Sequence, residues 1–178
     1  MPKRLCTASL SNKTAISFFL ILMGLSMGIS FWMFSQRTDF SPHKVAVYYV
    51  GNVSEDEPED APLPEEGMVF PKSAREMSES LHVHAFMIPL IFFVLSRILN
   101  MTGIREGIKA ATHVTAFVGI ILNLTGPWLV RFVSPGFAVW LIASYILLGA
   151  VAMVYIILPM YEMWGGVDEG RAGRVARR

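Results

Sequence analysis

The chain has 178 residues, 53% of them hydrophobic and 16% charged, with a formal net charge of +1. A soluble globular domain carries about a quarter charged residues, so this composition points to a membrane protein, and its near-neutral balance gives no case for nucleic-acid binding. The single cysteine, Cys6, excludes an internal disulfide and reads as a reduced thiol with no special role.

The first apolar run covers residues 15–35, behind Lys3, Arg4 and Lys13. About 20 apolar residues in helix cross ~30 Å of hydrocarbon. The run is longer than the apolar part of a signal peptide, and no small-x-small cleavage site follows, so an uncleaved first transmembrane helix is predicted.

Residues 36–80 form the predicted outer loop. It opens SPHKVAVYYVGN, where Ser41 suits an N-cap, Pro42 the first helical position and Gly51 the position past the end. That spacing predicts a short surface helix with Tyr48 and Tyr49 at the lipid interface, although its three valines favour a strand. The run SEDEPEDAPLPEE then carries seven of the fourteen acids. It reads as a solvated loop, or as a docking patch for a basic partner such as a soluble electron carrier. In PKSAREMSES, Ser73 and Glu76 have capping-box spacing, so the next helix is predicted to start near Ala74.

Further apolar runs cover residues 81–100, 110–133 and 137–160. Arg97, Arg105 and Lys109 mark the second connection, and Arg171, Arg174, Arg177 and Arg178 mark the basic tail in 165–178. The third connection, RFVSPGF, is too short for anything but a turn at Ser134, Pro135 and Gly136. Lys and Arg accumulate on the cytoplasmic side, which places both termini inside. Backbone in lipid must satisfy its own hydrogen bonds. The predicted fold is therefore an all-α, up-down-up-down bundle of four transmembrane helices in one membrane domain. Pro127 is expected to kink the end of the third span. The stripe Thr112, Ala116, Gly119, Asn123 and Gly126 is of the small and polar kind that lets helices approach closely.

No phosphate loop, CxxC, HExxH or CxxCH motif is present, and the eleven methionines are scattered apart from a Met160–Met163 pair. They read as core and lipid filling. Candidate chemistry therefore rests on four histidines. His82 and His84 are two apart, so a helix projects them about 200° from one another. His82 shares its face with Ser78, Glu79, Ser96, Arg97 and Asn100, whereas His84 shares its face with Ile88, Ile91 and Leu95. Polar groups within a span turn toward the bundle interior, so His82 is expected inward and His84 at headgroup level. Counting helix rise from the turn at Thr102 and Gly103 puts His82 level with Asn123, Ser144 and Tyr145, in a polar layer. Arg131 should reach Glu76 and Glu79 above it.

His113 falls about 16 Å below His82 by helix rise, near Tyr155, and reads as a hydrogen-bonded core residue. A haem b would thus have to pair His82 with a methionine, with His43 or with a partner chain. His43, His82 and His84, with Glu79, are the candidate copper or zinc ligands.

The segments SPHKVAVYYVGN, VFPKSAREMSESLHVHAF, PWLVRFVSP and LPMYEMW resemble those of a group of small four-span bacterial inner-membrane proteins, over most of residues 41–164. The resemblance implies the fold and the bacterial inner membrane, and supplies no reaction. The leading expectation is a non-catalytic accessory subunit of a respiratory or electron-transfer complex, in contact with the lipid bilayer and other membrane subunits. Its pocket around His82, Asn123, Tyr145, Arg131 and Glu79 would take a quinone, haem or metal ion. The alternatives are a structural or assembly protein with no ligand, and an outer-face copper- or zinc-binding protein.

Overall fold

The computed structural model describes residues 5–53 and 67–165. The acidic run at 54–66, Lys3, Arg4 and the basic tail lie outside the described residues. The chain forms helices α1 (Leu10–Thr38), α2 (Pro42–Val50), α3 (Ala74–Asn100), α4 (Glu106–Phe132) and α5 (Ala138–Gly165), with short 3-10 turns at Leu5–Thr7 and Pro135–Phe137. Four of them, α1, α3, α4 and α5, are long and apolar enough to cross a membrane.

Local signals set the boundaries. Ser9 Oγ accepts from Asn12 N–H to open α1, and the chain leaves it through Asp39 and Phe40, both at positive φ (47° and 54°). For a residue as bulky as Phe40 this backbone is strained, and packing of its ring on Phe31 and Phe34 offsets the strain. The helical reading of SPHKVAVYYV holds: α2 has Pro42 in its first turn and Gly51, at φ +84°, beyond its end. The capping box is complete, with Ser73 Oγ accepting from Glu76 N–H (3.2 Å) and Glu76 Oε2 accepting from Ser73 N–H (2.9 Å). Proline does not end α3, α4 or α5. Each continues past its proline, and α4 runs on from Pro127 to Phe132.

Two ends of the bundle are defined by contacts between distant segments. At one end Leu5 N–H donates to Met101 O (3.1 Å), Lys13 Nζ to Met163 O (2.8 Å) and Gly103 N–H to Glu162 Oε2 (2.6 Å). The start of α1, the α3–α4 turn and the end of α5 therefore meet there. The other end gathers the end of α1, α2, the start of α3 and the α4–α5 turn. This is up-down-up-down threading.

Within the bundle α5 is the hub, packing on α1, α2, α3 and α4. One buried cluster joins Leu20, Phe92, Leu95, Leu99 and Tyr155; a second, around α2, joins Phe34, Val45, Val130 and Leu141. On α4, Thr112, Ala116, Gly119 and Gly126 are buried. A Cβ at Gly119 would lie 2.8 Å from Leu148 Cδ2, and one at Gly126 would lie 2.9 Å from Leu141 Cδ1. Glycine at these two positions is what lets α4 and α5 approach so closely. The outward surface is apolar: Phe18 and Leu22 on α1, Phe86 on α3 and Phe117 on α4 are all about two-thirds exposed. Such a belt suits hydrocarbon rather than water.

Candidate functional site

At the α2 end, hydrogen bonds staple the connecting segment across the bundle. Asn52 Oδ1 accepts from Val69 N–H (2.8 Å), Asn52 Nδ2 donates to Gly67 O (2.9 Å) and Lys72 N–H donates to Tyr49 O (3.1 Å). Arg131 Nε donates to Lys72 O at 2.9 Å, fixing the start of α3 to the end of α4.

Beneath these staples lies a partly open cavity of about 80 Å³. Tyr49 of α2 lines it, as do Met77, Ser80, Leu81 and His84 of α3, Asn123 and Trp128 of α4, and Leu141 and Tyr145 of α5. Asn123 Nδ2 donates to Ser144 Oγ (3.2 Å), and that hydroxyl donates to Leu141 O (2.7 Å). Tyr145 stacks on Phe34 with ring centroids 3.8 Å apart. His84 Nδ1 lies 2.7 Å from Ser80 O. A carbonyl only accepts, so Nδ1 carries a proton. The indole N–H of Trp128 is buried with no partner among the described residues. Burial pushes the Tyr49 phenol well above its ordinary range, with Tyr145 and Tyr48 adding to the effect.

The lining contains no carboxylate, lysine or arginine. Such a lining suits neutral hydrogen-bonding groups better than ions. A water occupies about 30 Å³ in the liquid, whereas a cavity of roughly 150 Å³ is known to hold benzene. The space suits two or three waters, or one carbonyl edge whose ring stays at the mouth. A haem does not fit.

The expected facing of His82 and His84 is reversed. His84 lines the cavity with Asn123 and Tyr145, whereas His82 is exposed on the side that carries Phe86 and Phe93. The inward side of α3 is a seam at Met77, Leu81, Ile88, Ile91, Leu95 and Ile98, all buried or half-buried, with exposed His84 in register at its cavity end, in alternating steps of four and three. That spacing is the heptad seam of packed helices, and it outweighs the count of polar residues near the helix start.

Arg131 does not pair with Glu76 or Glu79. Glu76 is engaged by Ser73 and Lys72, and Glu79 by Arg75 at 2.9 Å. His43 is exposed on α2. Among the described residues no three His, Cys, Asp or Glu side chains converge on a metal position, and His43, His82 and His84 are not brought together. His113 has both ring nitrogens occupied, Nδ1 by Tyr155 OH at 2.7 Å and Nε2 by Asn100 Oδ1 at 3.0 Å, and so offers no ligand to iron. The cavity residue Tyr49 was assigned by sequence to the lipid interface. Tyr49 lies one turn after buried Val45, which is the signal for its inward face.

A family model described as a transmembrane helical domain matches residues 39–170, spanning α2 to α5. No curated protein and no solved structure matches the chain. The match and the four long apolar helices make this a multi-pass integral membrane protein in contact with the lipid bilayer.

Proposed function

The chain belongs to the Aq_1264_TM family of transmembrane helical domains, and from that premise we propose that it is a non-catalytic accessory subunit of a respiratory or electron-transfer complex. In this reading it sits in the bacterial inner membrane with both termini cytoplasmic, and its cavity receives a quinone carbonyl from the outer leaflet. The observation that carries the reading is the buried Trp128 N–H, without a partner among the described residues, in a partly open, uncharged cavity beside Tyr49, Tyr145 and His84. A buried donor without a partner costs about 1–3 kcal/mol. A carbonyl acceptor removes that cost, and a quinone brings two carbonyls on a neutral ring soluble in the bilayer.

The test uses the full chain in nanodiscs titrated with menadione. Saturable binding is expected, weakened at least tenfold in Trp128→Phe and in His84→Ala. Unaltered binding in both variants, or none in the parent, overturns the ligand. On native gels of mildly solubilised membranes the protein should run with quinone-linked oxidoreductase activity, and migration apart from any such activity overturns the subunit role.

A structural or assembly role is the second reading, favoured by the Asn123–Ser144 bond and the close α4–α5 approach at Gly126. It expects Trp128→Phe to be neutral or stabilising, with no menadione binding.

A further inference from the structure

Apart from the cavity, two cations flank one phenol ring at the α2 end, and a third, Arg131, is tied to the main chain of one of them while its guanidinium lies over the Phe132 ring. The Arg37 guanidinium carbon lies 5.7 Å from the Tyr48 ring centroid, and its Nη1 donates to the Tyr48 hydroxyl at 3.3 Å. Lys72 Nζ lies 5.4 Å from the same centroid. Arg131 is held beside them by its bond to the Lys72 carbonyl. One carboxylate among the described residues meets any of the three: Glu76, 3.6 Å from Lys72 Nζ and already accepting from Ser73. Arg37 and Arg131 have no ion pair among the described residues.

Two cations on one ring repel each other, and the ring's attraction is worth only about 0.5–1 kcal/mol at an exposed position. The backbone holds them together regardless. Arg37 is placed by the last turn of α1, and Lys72 by main-chain bonds to Tyr49 and Arg131. The result is a fixed excess of positive charge that Glu76 alone offsets among the described residues.

The surface below it indicates which anion. Ile29, Met33 and Arg37 are spaced four apart, so they line one side of α1, and all three are exposed. An apolar track thus runs from the cationic cluster down the transmembrane helix. A free phosphate uses only the cations, whereas a phospholipid uses both features.

We infer that Arg37 and Lys72, flanked by Arg131, bind the phosphodiester of an anionic phospholipid, with an acyl chain along Ile29 and Met33. This inference is independent of the cavity and its ligand.

The full chain in dodecyl maltoside is titrated with dioleoylphosphatidylglycerol, dioleoylphosphatidylcholine or inorganic phosphate. Retained lipid is counted by native mass spectrometry and the unfolding midpoint is followed in parallel. Phosphatidylglycerol is expected to bind and to raise the midpoint, with phosphatidylcholine at least tenfold weaker and inorganic phosphate without effect. Binding should weaken roughly thirtyfold in the Arg37→Gln, Lys72→Gln double variant, the loss expected for two basic residues at an anionic surface. Arg75→Gln removes a nearby cation outside the cluster and should leave binding unchanged. If the double variant does not fold, the single Arg37→Gln variant carries the test, with about a fivefold loss. Equal retention of the two lipids, equal phosphatidylglycerol binding by parent and variant, or no binding by the parent overturns the site. A full effect of inorganic phosphate overturns the lipid as its ligand.

Discussion

The phenol oxygen of Tyr155 on α5 lies 2.7 Å from Nδ1 of His113 on α4, at the end of the bundle away from the cavity. Asn100 of α3 completes the set, its Oδ1 lying 3.0 Å from Nε2. An amide oxygen only accepts, so Nε2 carries the proton and Tyr155 donates to Nδ1. Three helices are thus joined through one imidazole.

Breaking this bond should be measurable as coupling rather than as simple loss. Tyr155→Phe leaves Nδ1 without a donor, and His113→Leu leaves the phenol without an acceptor. A double-mutant cycle on unfolding free energy in mixed micelles should give about 0.5–2 kcal/mol of coupling, the range for hydrogen bonds inside membranes. Strictly additive single effects would show that the bond contributes nothing.

Gly126 should not tolerate a side chain. An added Cβ would lie 2.9 Å from Leu141 Cδ1 and 3.2 Å from its Cβ, and Leu141 is itself buried in the cluster around α2. Gly126→Ala is expected to destabilise by about 1–3 kcal/mol through overpacking. Gly28→Ala is the comparison, since nothing lies within 4 Å of a Cβ there. It should be neutral or stabilising by up to about 1 kcal/mol. Equal unfolding midpoints for the two variants would refute the close approach of α4 and α5.

Gly51 combines two constraints. Its φ is +84°, and a Cβ would stand 2.7 Å from both Pro71 N and Val69 O, which are backbone atoms with no rotamer to change. Gly67 has a similar φ of +78° but open space around it. Gly67→Ala should therefore cost only the left-handed backbone preference, about 1–2 kcal/mol. Gly51→Ala should cost more and detach residues 67–72 from α2. Limited proteolysis reads the difference as faster cleavage in that segment for Gly51→Ala alone.

The Tyr49 phenol gives an alkaline prediction. Burial raises its folded-state pKa above the ordinary phenol value of about 10. The folded chain then keeps a proton that the unfolded chain releases, so the stabilisation is complete below about pH 10 and is lost as pH rises. The parent should lose stability more steeply than Tyr49→Phe above about pH 10, with the two curves parallel below it. Parallel curves throughout would place the phenol in water.

The four spans were legible because about 20 apolar residues in a row have one low-energy solution in lipid. The capping box at Ser73 and Glu76 and the small-residue side of α4 were legible because each is a local spacing with one steric meaning. Tyr155 was correctly placed level with His113 by counting helix rise from a single turn. The facing of α3 was not recovered from its polar residues. His82, Ser78 and Glu79 lie near the helix start, where water or headgroups satisfy them without turning them inward. The four-and-three spacing from Met77 to Ile98 carried the orientation. The pairing of Arg131 was missed for a different reason. Its acceptor is the backbone carbonyl of Lys72, and a carbonyl leaves no mark in the order of side chains.

Because α1, α3 and α4 all pack on α5, the ribosome delivers the shared partner after the helices that need it. His113 and Asn123 leave the ribosome before their α5 partners Tyr155 and Ser144 do. Until then an imidazole and a carboxamide stand in hydrocarbon without their α5 partners, which makes α4 a poorly retained span on its own. A chain interrupted before residue 138 thus lacks the α5 partners of both side chains, and arrival of the last helix supplies them.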